Sequence, residues 1–228
     1  MEPILRCSGV TKTYGHGTGQ STALKDVSLE IMPGQFNAVI GQSGSGKTTL
    51  LKILSGILTP DSGEVTIHSR CLTDMSQERR AVFRRKNIGF VFQKYALLPE
   101  FTNEENIYLP LKLDKSSADR AYLNDIISSL DIARILNKFP TDCSGGEQQR
   151  VAIARAFANK PSIIFADEPT GNLDCEHGDN VVTLFLMMQR NLNTTVLMAT
   201  HNLSLANRSD RVITLRDGSL IEDKAVDL

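Results

Sequence analysis

Phe36-Asn37-Ala38-Val39-Ile40-Gly41-Gln42-Ser43-Gly44-Ser45-Gly46-Lys47-Thr48 joins an apolar run to a glycine-rich loop that closes on Lys-Thr. The first five residues have the character of a buried strand, and residues 47–55 that of a helix. The loop between them is G-x-x-x-x-G-K-[ST], whose glycines let successive backbone N–H groups turn inward around an anion. Such an anion sits at a helix N-terminus, where unpaired N–H groups and the helix dipole favour negative charge. Lys47 adds a point charge for the outer phosphates, and the Thr48 hydroxyl is a hard oxygen ligand for Mg2+. A nucleotide is therefore expected on Gly41, Gln42, Ser43, Gly44, Ser45, Gly46, Lys47, Thr48 and the adjoining Thr49. A merely flexible Gly-Ser turn would not need the strand before it and the helix after it.

Working outward, residues 4–12 and 27–31 alternate apolar and polar, as half-solvated strands do. Asp61-Ser62-Gly63 is a turn signal ahead of a further strand at 64–68. Residues 88–92 form a short apolar run that ends at Gln93. From about 94 to 159 the spacing becomes helical, with Leu123, Ile126, Ile127 and Leu130 on one face. Strand-like runs return at 162–166, 195–199 and 212–215, and the first two are apolar enough to be covered on both faces. The expected fold is one α/β domain: a nucleotide-binding core of about 1–93 and 160–228, interrupted by a helical insertion of about 94–159.

The chain has 228 residues, with 25 basic against 26 acidic side chains and a net charge of −1. No global positive field draws it to nucleic acid, so no nucleic-acid partner is expected. Cys7, Cys71, Cys143 and Cys175 are scattered without a C-x-x-C, which indicates neither a disulfide framework nor a zinc site and fits a reducing cytoplasm. The start shows no signal-peptide pattern, because Arg6 and polar residues interrupt it. The longest apolar stretch, 181–188, is too short to cross a bilayer. If the protein serves a membrane process, another chain is expected to supply the membrane part.

Two further motifs carry chemistry. Ile163-Ile164-Phe165-Ala166-Asp167-Glu168 is an apolar strand that delivers Asp167 to its C-terminal end, where ligands gather in open α/β sheets. A carboxylate there can hold Mg2+ directly or through water, and Glu168 is placed to orient or deprotonate an attacking water. The other motif is Cys143-Ser144-Gly145-Gly146-Glu147-Gln148-Gln149-Arg150. Ser144 and Glu147 have capping-box spacing, so a helix should begin at Ser144 and end near Asn159 and Pro161. Gly145 and Gly146 leave that helix mouth open as a second anion site. One nucleotide rarely needs two such sites, which suggests that this one faces the nucleotide of a second copy.

The Ser-Gly-Gly-Glu-Gln-Gln run resembles the signature of ABC-type ATPases, and the resemblance covers essentially the whole chain. It implies an α/β P-loop NTPase core with a mixed sheet, an antiparallel β portion and a helical subdomain insertion. By the same resemblance Tyr14 stacks on adenine, Gln93 reaches Mg2+ and the attacking water, and His201 contacts the γ-phosphate. Pro169-Thr170-Gly171-Asn172-Leu173-Asp174 looks like the D-loop, which adds Asp174 to the nucleotide contacts. The family picture is a head-to-tail pair of copies with two ATP molecules at the shared interface. Lys47 holds phosphate, Thr48, Gln93 and Asp167 manage Mg2+, and Glu168 activates water. Ser144, Gly145, Gly146 and Glu147 close from the other copy.

Cys143 departs from the usual leucine, at a position that packs rather than touches phosphate. Tyr95-Ala96-Leu97-Leu98-Pro99-Glu100-Phe101 should lie where the core meets the insertion, in the groove that receives integral membrane subunits in transporters of this family. The basic run Arg79-Arg80 and Arg84-Arg85-Lys86 reads first as a solvated helix face. The segment His16-Gly17-Thr18-Gly19-Gln20, with Leu97 to Thr102 and Glu168 to Asp174, resembles the bacterial lipoprotein-releasing and macrolide-export branch. That branch implies a peripheral subunit on the cytoplasmic face of the inner membrane. A cell-division ATPase of similar build is a near neighbour. A soluble ABC-type ATPase acting on DNA or ribosomes is the alternative of a different class. It would be expected to carry a long coiled-coil insertion or two ATPase halves, and each motif here occurs once.

Overall fold

Alternating side chains at the start of the chain build β1 (Leu5–Tyr14), which pairs antiparallel with both β2 (Ser21–Ile31) and β4 (Ser62–Ile67). A two-residue strand, β5 (Arg70–Cys71), completes this four-stranded antiparallel sheet in the order β2-β1-β4-β5. The computed structural model describes residues 2–15, 19–171 and 175–226. A second sheet of six strands runs β10-β9-β3-β8-β7-β6. Its parallel members are β3 (Phe36–Ile40), β6 (Ile88–Val91), β7 (Ile163–Asp167), β8 (Thr195–Thr200) and β9 (Arg211–Arg216). Only β10 (Ser219–Ala225), paired with β9, runs antiparallel.

Period-two alternation splits most of the apolar residues of the six-stranded sheet between two large cores, with Ala38 and Val212 in a small third cluster. Ile163, Phe165, Leu197 and Ala199 pack with Leu50, Leu54 and the antiparallel sheet's Leu5, Val27 and Ile31. Ile164, Ala166, Val196 and Met198 face the opposite cluster, built with Ile107, Ile126, Val151, Phe157 and Phe185. β7 and β8 are buried at every position, as expected of strands covered on both faces. α1 (Lys47–Leu54) serves the first core. α2 (Gln77–Asn87), α3 (Asn103–Asp114), α4 (Arg120–Ser129) and α5 (Gly145–Phe157) precede β7, and α6 (Cys175–Leu192) and α7 (Leu203–Ala206) follow it.

Leu123, Ile126, Ile127 and Leu130 lie on one buried face of α4 and its C-cap, in the spacing read from the sequence. α5 begins with the expected capping box: Ser144 Oγ accepts from Glu147 N, and the Glu147 carboxylate accepts from Ser144 N. The helix ends at Phe157, slightly short of Asn159 and Pro161. Its tail lies hard against β6, because a Cβ at Gly89 would collide with the Ala156 carbonyl and with Ile164.

Three details differ from the sequence reading. The 61–63 turn signal lies largely inside β4, where Ser62 pairs with Thr11 across a register shift. β10 had no alternation to announce it, since its side chains are largely exposed and its place is set by β9. The basic face of α2 is more engaged than a solvated run: Arg84 donates to the Gly56 carbonyl and Arg85 pairs with Asp114 at 3.2 Å. Among the described residues no helix is long and apolar enough to cross a membrane.

Candidate nucleotide site

The loop after β3 arrives at α1 through Gly46, which is left-handed at φ 104° and caps the helix without any side chain. A Cβ there would also meet the Ala23 carbonyl, so only glycine fits. The first turn of α1 is thus left for an external acceptor. Gly44, at φ 80°, has nothing within 4 Å of where a Cβ would stand, and the loop opens there. Lys47 is buried, and its Nζ donates to the carbonyls of Gly41 at 2.8 Å and Gln42 at 3.0 Å.

β7 carries Asp167 to the same place. Thr48 Oγ1 donates to Asp167 Oδ1 at 2.8 Å, so two hard oxygen donors from different elements meet beside the loop. Burial pushes the Asp167 carboxyl above its usual range, against the pull of the Thr48 hydrogen bond and the nearby Lys52 and Lys47. Glu168 turns off the strand with φ 44°, a left-handed conformation that costs a non-glycine residue and concentrates at functional sites. Its backbone is held by Glu168 N to Ala199 O and by Gly171 N to Glu168 O, both 3.0 Å. The carboxylate stands 3.6 Å from Lys47 Nζ and 3.5 Å from His201 Nδ1. His201 follows β8 directly, and Thr200 and Asn202 hold that turn through a 3.0 Å bond from Asn202 N to Thr200 Oγ1.

Ser43, Gly44, Gly46, Lys47, Thr48, Thr49, Gln93 and Glu168 line one pocket of about 340 Å³, joined by Ala23. No sequence signal marked Ala23; it reaches the pocket because β2 runs alongside the loop. Gln93 arrives from β6, and Gly171 passes so close that a Cβ there would approach Gln93 Nε2 to 2.8 Å. Tyr14 lies at the edge, 45% exposed, with its hydroxyl 3.4 Å from Thr49 Oγ1. Ser144, Gly145, Gly146 and Glu147 are not among the residues lining this pocket. Asp174, Asn172 and Leu173, like His16, Gly17 and Thr18, lie outside the described residues. Cys143 packs beside the helical cluster, as the sequence suggested, with its Sγ 3.2 Å from Asn103 Nδ2.

A divalent cation accompanying a nucleotide would find suitable oxygen ligands in Thr48 and Asp167. Mg2+ is commonly held by one or two protein oxygens plus substrate phosphates rather than by a protein cage. Among the described residues no cluster of three His, Cys, Asp or Glu side chains is arranged as such a cage.

Residues 24–171 match the family model described as ABC transporter. The chain belongs to the ABC transporter family. It is an ATP-binding subunit of that family and an ATPase. The lipoprotein-releasing system ATP-binding protein LolD of Psychrobacter arcticus is 42% identical over 221 residues, covering 96% of this chain and 98% of that one. Escherichia coli YbbA, an uncharacterized ABC transporter ATP-binding protein, is 42% identical over 224 residues, covering 97% and 98%. Among solved structures, the dimeric ATP-binding cassette MJ0796, in a post-hydrolysis state bound to ADP and Pi, matches with a TM-score of 0.90. Its identity is 37%, with 99% of this chain and 100% of that chain covered. This ABC ATPase therefore has the P-loop fold, with mixed sheet and helical elements, that its relatives have.

Proposed function

We propose that two copies of this ABC ATPase close head-to-tail on two ATP molecules, and that their opening after hydrolysis drives membrane subunits that release lipoproteins from the inner membrane. One observation supports the catalytic part most directly: Lys47, Thr48 and Glu168 line one pocket, with Asp167 bonded to Thr48 and His201 beside Glu168. In this reading the loop amides and Lys47 bind the β- and γ-phosphates, and Tyr14 stacks on adenine. Thr48, Asp167 and Gln93 would hold Mg2+, which when bound neutralises charge on the phosphate oxygens. Glu168 accepts a proton from the attacking water, and His201 steadies the transferring group. Ser144, Gly145, Gly146 and Glu147 complete the site from the second copy, which agrees with their absence from the pocket's lining, and Asp174 of the D-loop adds a nucleotide contact. The dimeric state of MJ0796 supports the same arrangement.

We take 94–159 as the helical subdomain. Residues 95–101 present Ala96, Leu98 and Phe101 at the surface beside a groove of about 550 Å³ lined by Ile57, Phe90, Phe92 and Leu113. This groove is the proposed seat of the membrane subunits, and on this reading the protein works at the cytoplasmic face of the inner membrane. Release of lipoproteins as the cargo rests on the likeness to LolD.

The test is Glu168→Gln. It should bind ATP, hydrolyse it at least roughly a hundredfold more slowly, and accumulate a dimer in size-exclusion chromatography. Near-normal turnover would sink the base assignment. Ser144→Arg should bind ATP as a monomer and fail to dimerise. A dimer from that variant would remove the composite site. Purifying tagged Glu168→Gln with ATP from solubilised membranes then identifies the partner: a lipoprotein-releasing subunit supports the cargo, while an export or division subunit replaces it.

A further inference from the structure

Arg155, near the end of α5, is a mostly buried cation whose ion pairs include no carboxylate among the described residues. Its guanidinium instead donates to two consecutive backbone carbonyls, Tyr95 O at 2.7 Å and Ala96 O at 2.6 Å. Those two residues are both left-handed, at φ 57° and 51°, although neither is glycine. Two adjacent residues in that region persist only where surroundings over-determine them. The loop they belong to begins with Gln93, which lines the nucleotide pocket. At its far end the same loop is fixed by the fully buried Asn106, which accepts from Leu98 N and donates to Leu98 O, Phe101 O and Thr102 O.

A purely structural arginine on a helix face would be expected to pair with a carboxylate or extend to water. Here burial lowers the Arg155 pKa to about 10, and among the described residues its compensating partners are carbonyl dipoles. The planar fork suits this task, because two donors from one rigid group fix both the position and the tilt of a peptide segment. A lysine would keep the charge and lose the fork.

We propose that Arg155 is a positioning residue for ATP hydrolysis, which locks the Tyr95–Ala96 turn to the helix that starts at Ser144 and thereby sets Gln93 in its own pocket. The signature helix and the Gln93 loop of one copy then share one placement. Arg155 touches no reacting atom; it acts through Gln93. This rests on the reading of Gln93 as a pocket residue given above.

Full-length variants are assayed for steady-state ATP hydrolysis, ATP binding and thermal unfolding. Arg155→Lys should lower kcat roughly tenfold while leaving KM for ATP within about twofold. The unfolding midpoint should stay near that of the parent. Arg155→Lys with Ala96→Gly, which removes the left-handed penalty at one of the two residues, should regain most of the lost rate. In a Gln93→Ala background Arg155→Lys should change kcat by less than about twofold, because residues acting as one unit are not additive. A full tenfold loss in that background, or a loss that tracks the unfolding midpoint and is not rescued by Ala96→Gly, would overturn the proposal. A parent chain whose turnover ignores Gln93→Ala altogether would instead remove the reading of Gln93 on which the proposal stands.

Discussion

Cys7 shows how burial sets chemistry at a single residue. Its thiol lies inside the antiparallel half of the molecule, and loss of solvent raises its pKa from 9.0 to about 11. A group raised in the fold contributes its stability below the unfolded value and loses it as pH climbs through the folded one. The chain should therefore lose stability between about pH 9 and 11 more steeply than Cys7→Ala, as read by denaturant midpoints at stepped pH. Parallel curves for the two proteins would show that the thiol does not titrate there. At this scale the strand–loop–helix geometry of the glycine-rich loop was legible, because glycine spacing specifies its backbone. Glu168 was legible as a carboxylate at a strand end, yet its left-handed φ was not, since the sequence offers no glycine to announce it. Ala23 and Arg155 were silent for another reason: an alanine beside a phosphate loop and an arginine bonded to carbonyls carry no pattern of their own.

Elements were readable where their period matched their burial. α5 was fixed in advance by its capping box and β7 by its unbroken apolar run. β10 was missed because a polar strand at a sheet edge is held by its neighbour rather than by its own side chains. The basic run on α2 was read as solvated, but helical spacing alone cannot show that Gly56 and Asp114 come within reach of Arg84 and Arg85. The capping box has a measurable worth. Ser144→Ala should cost the fold about 1 kcal/mol in chemical denaturation, whereas Ser144→Asn should cost only a few tenths. Equal losses would mean that the serine serves packing rather than the helix end.

At the level of the whole molecule, two cores share the same central strands, one on each side. The helices between β6 and β7 are packed into the second core rather than standing apart from it. The outer surface keeps an apolar groove between α2, α3 and the tail of α5, with Leu113 58% exposed on its rim. Leu113→Glu is therefore expected to leave ATP-dependent dimerisation intact. It should abolish co-purification of a membrane subunit from solubilised membranes. Retained co-purification would move the docking site elsewhere.

Gly89 gives the molecule its gearing. Because that glycine lets the backbone of α5 rest directly on β6 at Ala156, the helix has a fulcrum at its tail. Ser144 lies about 18 Å from that point at ~1.5 Å per residue, and Arg155 only one residue from it. A rigid α5 pivoting there would deliver a smaller swing to the Gln93 loop than to its own mouth, because the Arg155 guanidinium reaches less far from the pivot than Ser144 does. A longer stroke at one end becomes a shorter one at the other.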